Sequence, residues 1–320
     1  MVDELQHSLT GGRVQDVVLV DPLSLGLEIY AQQQRQYLLL SAQPGQARVH
    51  RTREKLRRGP ETPLPILLLA RKYVRGARLS AVSQPGSERI IRFDLDGPGG
   101  AFTLIAEIMG RRSNLILVDA TGLIIEAIRR VTPEQSRRPV QPHQPYLPPP
   151  PLVKPSIAAL TPSRLRALLA EGEGPLWRRL SEQVAGMSPL LGREVAFRAA
   201  GNAEASDAES TTLLEVARML LVDLPASHAW EPCLGLIEGR AVAYAPYMLT
   251  HLGERRRMPT VSAAIEAYVL AGAAGSPYAE AKARVTKLLA AAREREERRQ
   301  AAIERDVLPP EEVDRLREAG

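Results

Sequence analysis

A carboxylate and a guanidinium stand side by side at Glu88-Arg89, where a short β-rich run opens. Glu107-Ile108-Met109 closes the next run, and Gly110-Arg111-Arg112-Ser113-Asn114 turns into a third. Arginines at these turn edges give the stretch a basic face, and the three places are the first candidates for function. Farther forward lies a second basic stretch, RTREKLRR, with Arg53, Lys55, Arg57 and Arg58. Residues 41–92 hold 12 Lys+Arg against 3 Asp+Glu, and such a local excess is the electrostatic footprint of a surface that meets phosphates. Arg53, Lys55, Arg57, Arg58, Arg111 and Arg112 are therefore the expected phosphate contacts. The competing explanation is a solvated face of an arginine-rich chain.

The elements that must position these residues form a β-meander over 77–131. Its expected strands are Ala77 to Gln84, Glu88 to Leu95, Phe102 to Met109, Ser113 to Asp119 and Leu123 to Val131, separated by turns such as Pro85-Gly86 and Gly97-Pro98-Gly99-Gly100. Ahead of it the pattern predicts a helix over Asp3 to Leu9 stopped by Gly11-Gly12. Strands follow over Arg13 to Val20, Gly26 to Ala31, Gln36 to Ala42 and Ala47 to Thr52. A helix over Leu64 to Arg75 then presents Leu67, Leu68 and Ala70 to a core and leaves Arg71, Lys72 and Arg75 near its C-terminus.

The composition changes at Arg137 to Pro155, RRPVQPHQPYLPPPPLVKP, where the prolines predict an extended linker and a domain boundary. Beyond it the chain turns helical. Thr161-Pro162 caps one helix, Pro175 to Ala185 forms a second, and a third starts at Pro189 after the turn Gly186-Met187-Ser188. Two helices joined through such a turn resemble a helix-hairpin-helix, in which backbone amides at the second helix N-terminus hold a phosphate. Pro189 stands where a second glycine is usual. A helix over Thr211 to Leu221, a hairpin of Cys233 to Ile237 and Arg240 to Ala245, the basic cluster Arg255-Arg256-Arg257 and a helix over Val261 to Leu270 follow. From Tyr278 to Asp306 the chain is almost all Ala, Glu, Arg, Lys and Leu, which predicts a long charged helix with one thin apolar stripe. Such a helix calls for a returning partner, so the chain reads as an N-terminal fragment. The expected domains are 1–136, a linker over 137–160, an α-rich domain over 161–277 and the start of an arm over 278–320.

Composition excludes several classes. The 320 residues carry a net charge of +5, and the first 150 hold 20 basic against 14 acidic residues, so the positive balance sits in the front half. One cysteine, Cys233, and five histidines without ligand spacing give no disulfide framework and no metal or cofactor expectation. The chain shows neither a membrane-length apolar run nor a signal-peptide profile, which places it in the cytoplasm as an expectation.

These pieces resemble, in order and spacing, the N-terminal part of the NFACT family. This is the family of ribosome quality-control factors, RqcH-like in bacteria, formerly described as fibronectin-binding proteins. The resemblance is carried by DEL...LTGGRV, RTREKLRRGPETPLP ahead of LLLARKYVRGARL, SERIIRF, EIMGRRSNLILVD, YLPPP, GMSPLLGREVAFRA and the charged helix from about Tyr278. It implies an α+β fold with a formamidopyrimidine-DNA-glycosylase-like β-sandwich, a helix-hairpin-helix domain and a coiled-coil arm. The implied partners are an obstructed large ribosomal subunit, its peptidyl-tRNA and alanyl-tRNA. The implied outcome is template-free alanine tailing of the stalled chain, with peptide bonds made by the ribosome, so no catalytic residue is expected.

The family's Asp-Arg pair falls on Glu88-Arg89, one methylene longer, and its Glu-Ile-Met segment on Glu107-Ile108-Met109. An unpaired anticodon offers donors to a carboxylate, acceptors to a guanidinium and base faces to apolar or thioether side chains. Two other readings compete. A DNA glycosylase of the resembled fold needs an N-terminal proline nucleophile, where this chain has Met1-Val2-Asp3-Glu4. A matrix-binding adhesin needs an export signal.

Overall fold

The computed structural model describes residues 1–59, 64–86, 88–150, 153–274, 289 and 292–300. They fall into two compact units, Met1–Tyr268 and Val269–Gly320. The first unit opens with α1 (Val2–Leu9), then β1 (Arg13–Asp21), β2 (Ser24–Ala31), β3 (Gln34–Ser41) and β4 (Arg48–Thr52). After α2 (Pro65–Tyr73) come β5 (Arg78–Ser83), β6 (Ile90–Gly97), β7 (Gly100–Glu107), β8 (Asn114–Asp119) and β9 (Ile124–Ala127). All nine strands form one antiparallel sheet, ordered β4-β3-β2-β1-β5-β6-β7-β8-β9, whose halves meet at the Arg13 and Arg78 pair.

Alternation along the strands sorts the faces. Ile91, Phe93 and Leu95 of β6 and Phe102, Leu104 and Ala106 of β7 enter one continuous core with Leu25, Leu27, Leu38 and Leu40 from the other half of the sheet. Helix α1 adds Leu5 and Leu9, spaced one turn apart, and α2 adds Ile66, Leu67 and Ala70. Leu68, expected to face the core, is 53% exposed. The buried set at 66, 67, 70 and 74 fills one helical face, and residue 68 lies off it.

The opposite face of β6–β9 carries a second, smaller core of Ile90, Ile105, Ile116, Val118, Ile124, Ala127 and Val140. The proline-rich stretch, expected as a linker, covers this core. Val131 and Val140 pair, as do Leu123 and Pro145, and Ile124 exchanges backbone hydrogen bonds with His143 and Gln144 at 2.8 Å. Pro145 and Pro139 can sit there because a covering strand needs only some of its amides, and Val140, His143 and Tyr146 supply them.

Helices α3 (Pro162–Ala170), α4 (Leu176–Gln183), α5 (Pro189–Ala200), α6 (Ser210–Arg218) and α7 (Leu224–Ser227) share a separate core, with a π-helical turn at Met219–Asp223. Then β10 (Cys233–Ile237), β11 (Arg240–Ala245) and β12 (Glu254–Arg257) make a three-stranded sheet, ordered β11-β10-β12. The basic cluster of the sequence is thus an edge strand, with Arg255, Arg256 and Arg257 opposite Gly235, Leu234 and Cys233. Finally α8 (Val261–Ala274) runs beside β4: the Ser262 hydroxyl accepts from the Arg51 amide at 3.0 Å and the Glu266 carboxylate from the Arg53 amide at 3.3 Å.

Of the expected arm, residues 292–300 are helical, with i,i+4 pairs Arg293–Glu297 and Glu294–Arg298. The rest of the Tyr278 to Asp306 expectation lies outside the described residues, Leu289 excepted. Among the described residues no helix is long and apolar enough to cross a membrane.

Candidate nucleic-acid interface

Pairing of β6 with β7 sets Ile90 opposite Glu107, and the ladder runs one step further as the Ile108 amide donates to the Arg89 carbonyl at 2.8 Å. Glu88-Arg89 and Ile108-Met109, nearly twenty positions apart in sequence, therefore lie side by side at one end of the sheet. Arg89 is exposed and Ile108 and Met109 are half-buried. The next turn is built tightly. Gly110 takes a φ of +60°, which opens a 3-10 turn over Gly110–Arg112, and the Ser113 hydroxyl accepts from the Met109 amide at 2.8 Å. Both Arg111 and Arg112 project from it into solvent. Behind the turn, the Asn114 side chain accepts from the Arg129 amide at 3.1 Å and donates to the Arg129 carbonyl at 2.8 Å. The Arg129 guanidinium in turn donates to the Arg111 carbonyl at 2.9 Å.

Glu107 behaves differently from its neighbours. Its carboxylate is only 1% exposed and takes two guanidinium hydrogen bonds from Arg138, at 2.5 and 3.1 Å, plus the Tyr146 hydroxyl at 2.9 Å. Burial, and the Glu107 carboxylate beside it, push the Tyr146 phenol up from its ordinary value. Glu107 is thus the clasp that fastens the proline-rich strap to the sheet. Sequence reasoning did not find Arg138 and Tyr146, because both lie within a stretch whose prolines masked the apolar Val140 and Tyr146 that point to packing.

The remaining expected contacts are distributed elsewhere. Lys55 pairs with Glu28 at 3.5 Å and Arg58 with Asp16 at 3.3 Å on the β1–β4 half, while Arg53 and Arg57 make no ion pair among the described residues. Both paired cations are well exposed, and surface pairs of this kind hold by about 0–1 kcal/mol, so they exchange readily for a phosphate.

At the helical hairpin, Met187 is buried in the core and Gly186 takes a φ of +75°. Ser188 caps α5 by accepting from the Leu191 amide at 3.1 Å. Pro189 has no amide, so two of the first three donors of the helix are unavailable to a phosphate. The hairpin is close-packed: a Cβ on Gly192 would stand 2.6 Å from the Trp177 carbonyl oxygen. Glu194 on the same helix is fully buried and accepts from Arg198, Thr250 and His251 at 2.6, 2.5 and 2.6 Å, tying α5 to the loop before β12. Burial raises its pKa, but the hydrogen bonds from His251, Thr250 and Arg198 outweigh that and hold it at about 2. Among the described residues no group of His, Cys, Asp and Glu has the arrangement of a metal site.

An antiparallel sheet ending in an exposed arginine edge, followed by a close-packed helical hairpin, matches one family along its entire length. The model of the NFACT N-terminal and middle domains covers residues 1–320, and the chain belongs to the NFACT family. It is similar to the Rqc2 homolog RqcH of Bacillus subtilis, 31% identical over 276 residues, which is 84% of this chain and 47% of that protein. It is also similar to the Rqc2 homolog RqcH of Streptococcus suis, 36% identical over 157 residues, 47% of this chain and 28% of that one. The chain thus spans about half the length, or less, of these curated relatives. Among solved structures, the N-terminal part of the fibronectin/fibrinogen-binding protein from Streptococcus suis superposes with a TM-score of 0.67 at 26% identity, covering 84% of this chain and 96% of that one. The fibrinogen binding protein from Staphylococcus aureus gives 0.66 at 26%, covering 82% and 93%.

Proposed function

We propose that this chain is the tRNA-reading front portion of a cytoplasmic ribosome quality-control factor. In this reading it engages an obstructed large ribosomal subunit with its peptidyl-tRNA and recruits alanyl-tRNA for template-free alanine tailing. The observation that carries the reading is the adjacency of Glu88-Arg89, Ile108-Met109 and Arg111-Arg112 at one sheet end, in a chain related to RqcH. A carboxylate and a guanidinium read base edges, the apolar pair packs on base faces, and the two arginines meet the backbone. Glu107 contributes by position, since its oxygens are occupied by Arg138 and Tyr146. The factor is a binder, with peptidyl transfer left to the ribosome. The glycosylase-like sandwich and the coiled-coil arm belong to the same proposal.

The test joins this chain to the C-terminal half of the Bacillus subtilis relative, incubates it with purified large subunits carrying peptidyl-tRNA, and sequences the tRNA that co-purifies. Enrichment of alanine tRNA, lost in Glu88→Ala/Arg89→Ala, is expected. Subunit binding with no tRNA enrichment would remove the reading role.

A further inference from the structure

Two to six residues along β6 and β7 from the Ile90 and Glu107 pair, on the same face, a cleft of about 400 Å³ opens toward the β6–β7 turn. Strand rise places its near rim about 7 Å, and its centre at Asp94 and Thr103 about 13 Å, from Glu107. Ile105 and Val118 form an apolar floor, Tyr146 stands at the rim, and Arg92, Asp94 and Thr103 supply the polar groups. The volume lies at the small end of ligand sites, roughly 300–1,000 Å³, which suits one planar group and excludes a stacked run.

The polar groups are arranged for reading. Arg92 makes no ion pair among the described residues and lines the cleft together with Tyr146. Asp94 accepts from the Thr103 hydroxyl at 2.8 Å through one lone pair of one oxygen, which fixes the carboxylate and leaves that oxygen's second lone pair and the whole other oxygen to the cleft. Asp96 and Asp119 also line it, so the rim is rich in acceptors and disfavours a phosphate. Tyr146 cannot swing away, because Glu107 holds its hydroxyl.

We propose that this cleft takes one unstacked guanine base of the bound RNA. The guanine N1–H and 2-amino group donate to Asp94, Arg92 donates to O6, and the ring lies on the Ile105 and Val118 floor beside Tyr146. Guanine alone among the four bases offers a carboxylate two parallel donors next to an acceptor. Splayed-out bases read on this edge are the usual currency of single-stranded RNA recognition. The inference rests on the reading of the neighbouring edge as an RNA surface, and it adds a second, base-selective contact to it.

Nucleosides test the cleft without the phosphate contacts. Guanosine, inosine (which lacks only the 2-amino group), adenosine and uridine are titrated into the chain and followed by NMR, with saturation transfer from the Tyr146 ring. Guanosine should bind at least tenfold more tightly than the other three. Asp94→Asn and Arg92→Gln should each weaken guanosine at least tenfold with unchanged melting temperature. Equal binding of guanosine and inosine, guanosine binding unmoved in both variants, or no guanosine signal would each overturn the proposal. Guanosine selectivity without alanine tRNA enrichment would sink only the broader reading, and enrichment without guanosine binding would sink only the cleft.

Discussion

The Arg138 guanidinium grips both oxygens of Glu107 from a position 31 residues further along the chain, and the Tyr146 hydroxyl shares the site. A charge this deep is stable only while paired, so the pair ties strap, sheet end and cleft wall into one unit.

Arg138→Ala should therefore be costly. It strands a carboxylate that is 1% exposed, and about 3–5 kcal/mol of unfolding free energy is the expected loss. Glu107→Leu/Arg138→Leu should recover much of it. Urea unfolding of both variants measures the difference; equal losses would mean the pair acts by something other than stranded charge.

Gly192→Ala should cost about 1–3 kcal/mol, because the added Cβ meets the backbone of α4 and not a flexible side chain. Thermal unfolding decides, and an unchanged melting temperature would show that the two helices part freely.

His50 sits 2% exposed on β4, and burial, together with Arg48 beside it, pushes its pKa down to about 4. The unfolded chain binds this proton near the ordinary value of 6.5, so protonation favours unfolding. Stability should be complete above about pH 6.5 and fall as the pH drops toward 4. Glu194, held at about 2, adds a second loss below its ordinary value of 4.5. Chemical unfolding of wild type and His50→Phe across about pH 2–8 checks this: the variant should lose the first slope and keep the second.

Arg111→Ala/Arg112→Ala should weaken RNA binding for every sequence and flatten the salt dependence by roughly 0.7 for each phosphate no longer neutralised. Lys55→Ala/Arg58→Ala should do so less, because Glu28 and Asp16 compete for those cations. Filter binding at several salt concentrations compares them; identical slopes in all three proteins would assign the arginines to solvation alone.

The meander order and the buried side of its strands were legible in the sequence, since alternation such as Ile91, Phe93, Leu95 against Arg92, Asp94, Asp96 leaves one reading of which side is buried. The limits shifted: β6 and β7 lie two residues nearer their shared turn than expected, and β9 stops at Ala127, short of Val131. The adjacency of Glu88-Arg89 with Ile108-Met109 follows from the hairpin register that Gly97 and Gly100 set. The clasp was not legible. Arg138 and Tyr146 lie among prolines, whose usual meaning is a spacer, and long-range pairing of such a strap depends on a sheet edge that only the folded protein supplies. Likewise Glu107 is a charged residue at a strand end, where solvent is the ordinary environment. Its burial comes from a partner remote in sequence.

The strap and α8 also finish the sheet. At one margin the amides of Arg51 and Arg53 are taken by Ser262 and Glu266, and at the other the outermost strand is met by a segment with Pro139, Pro142 and Pro145. A proline has no amide to offer a newcomer, and a helix presents none sideways. Both margins of this nine-stranded sheet are therefore blunted against edge-to-edge pairing with another chain.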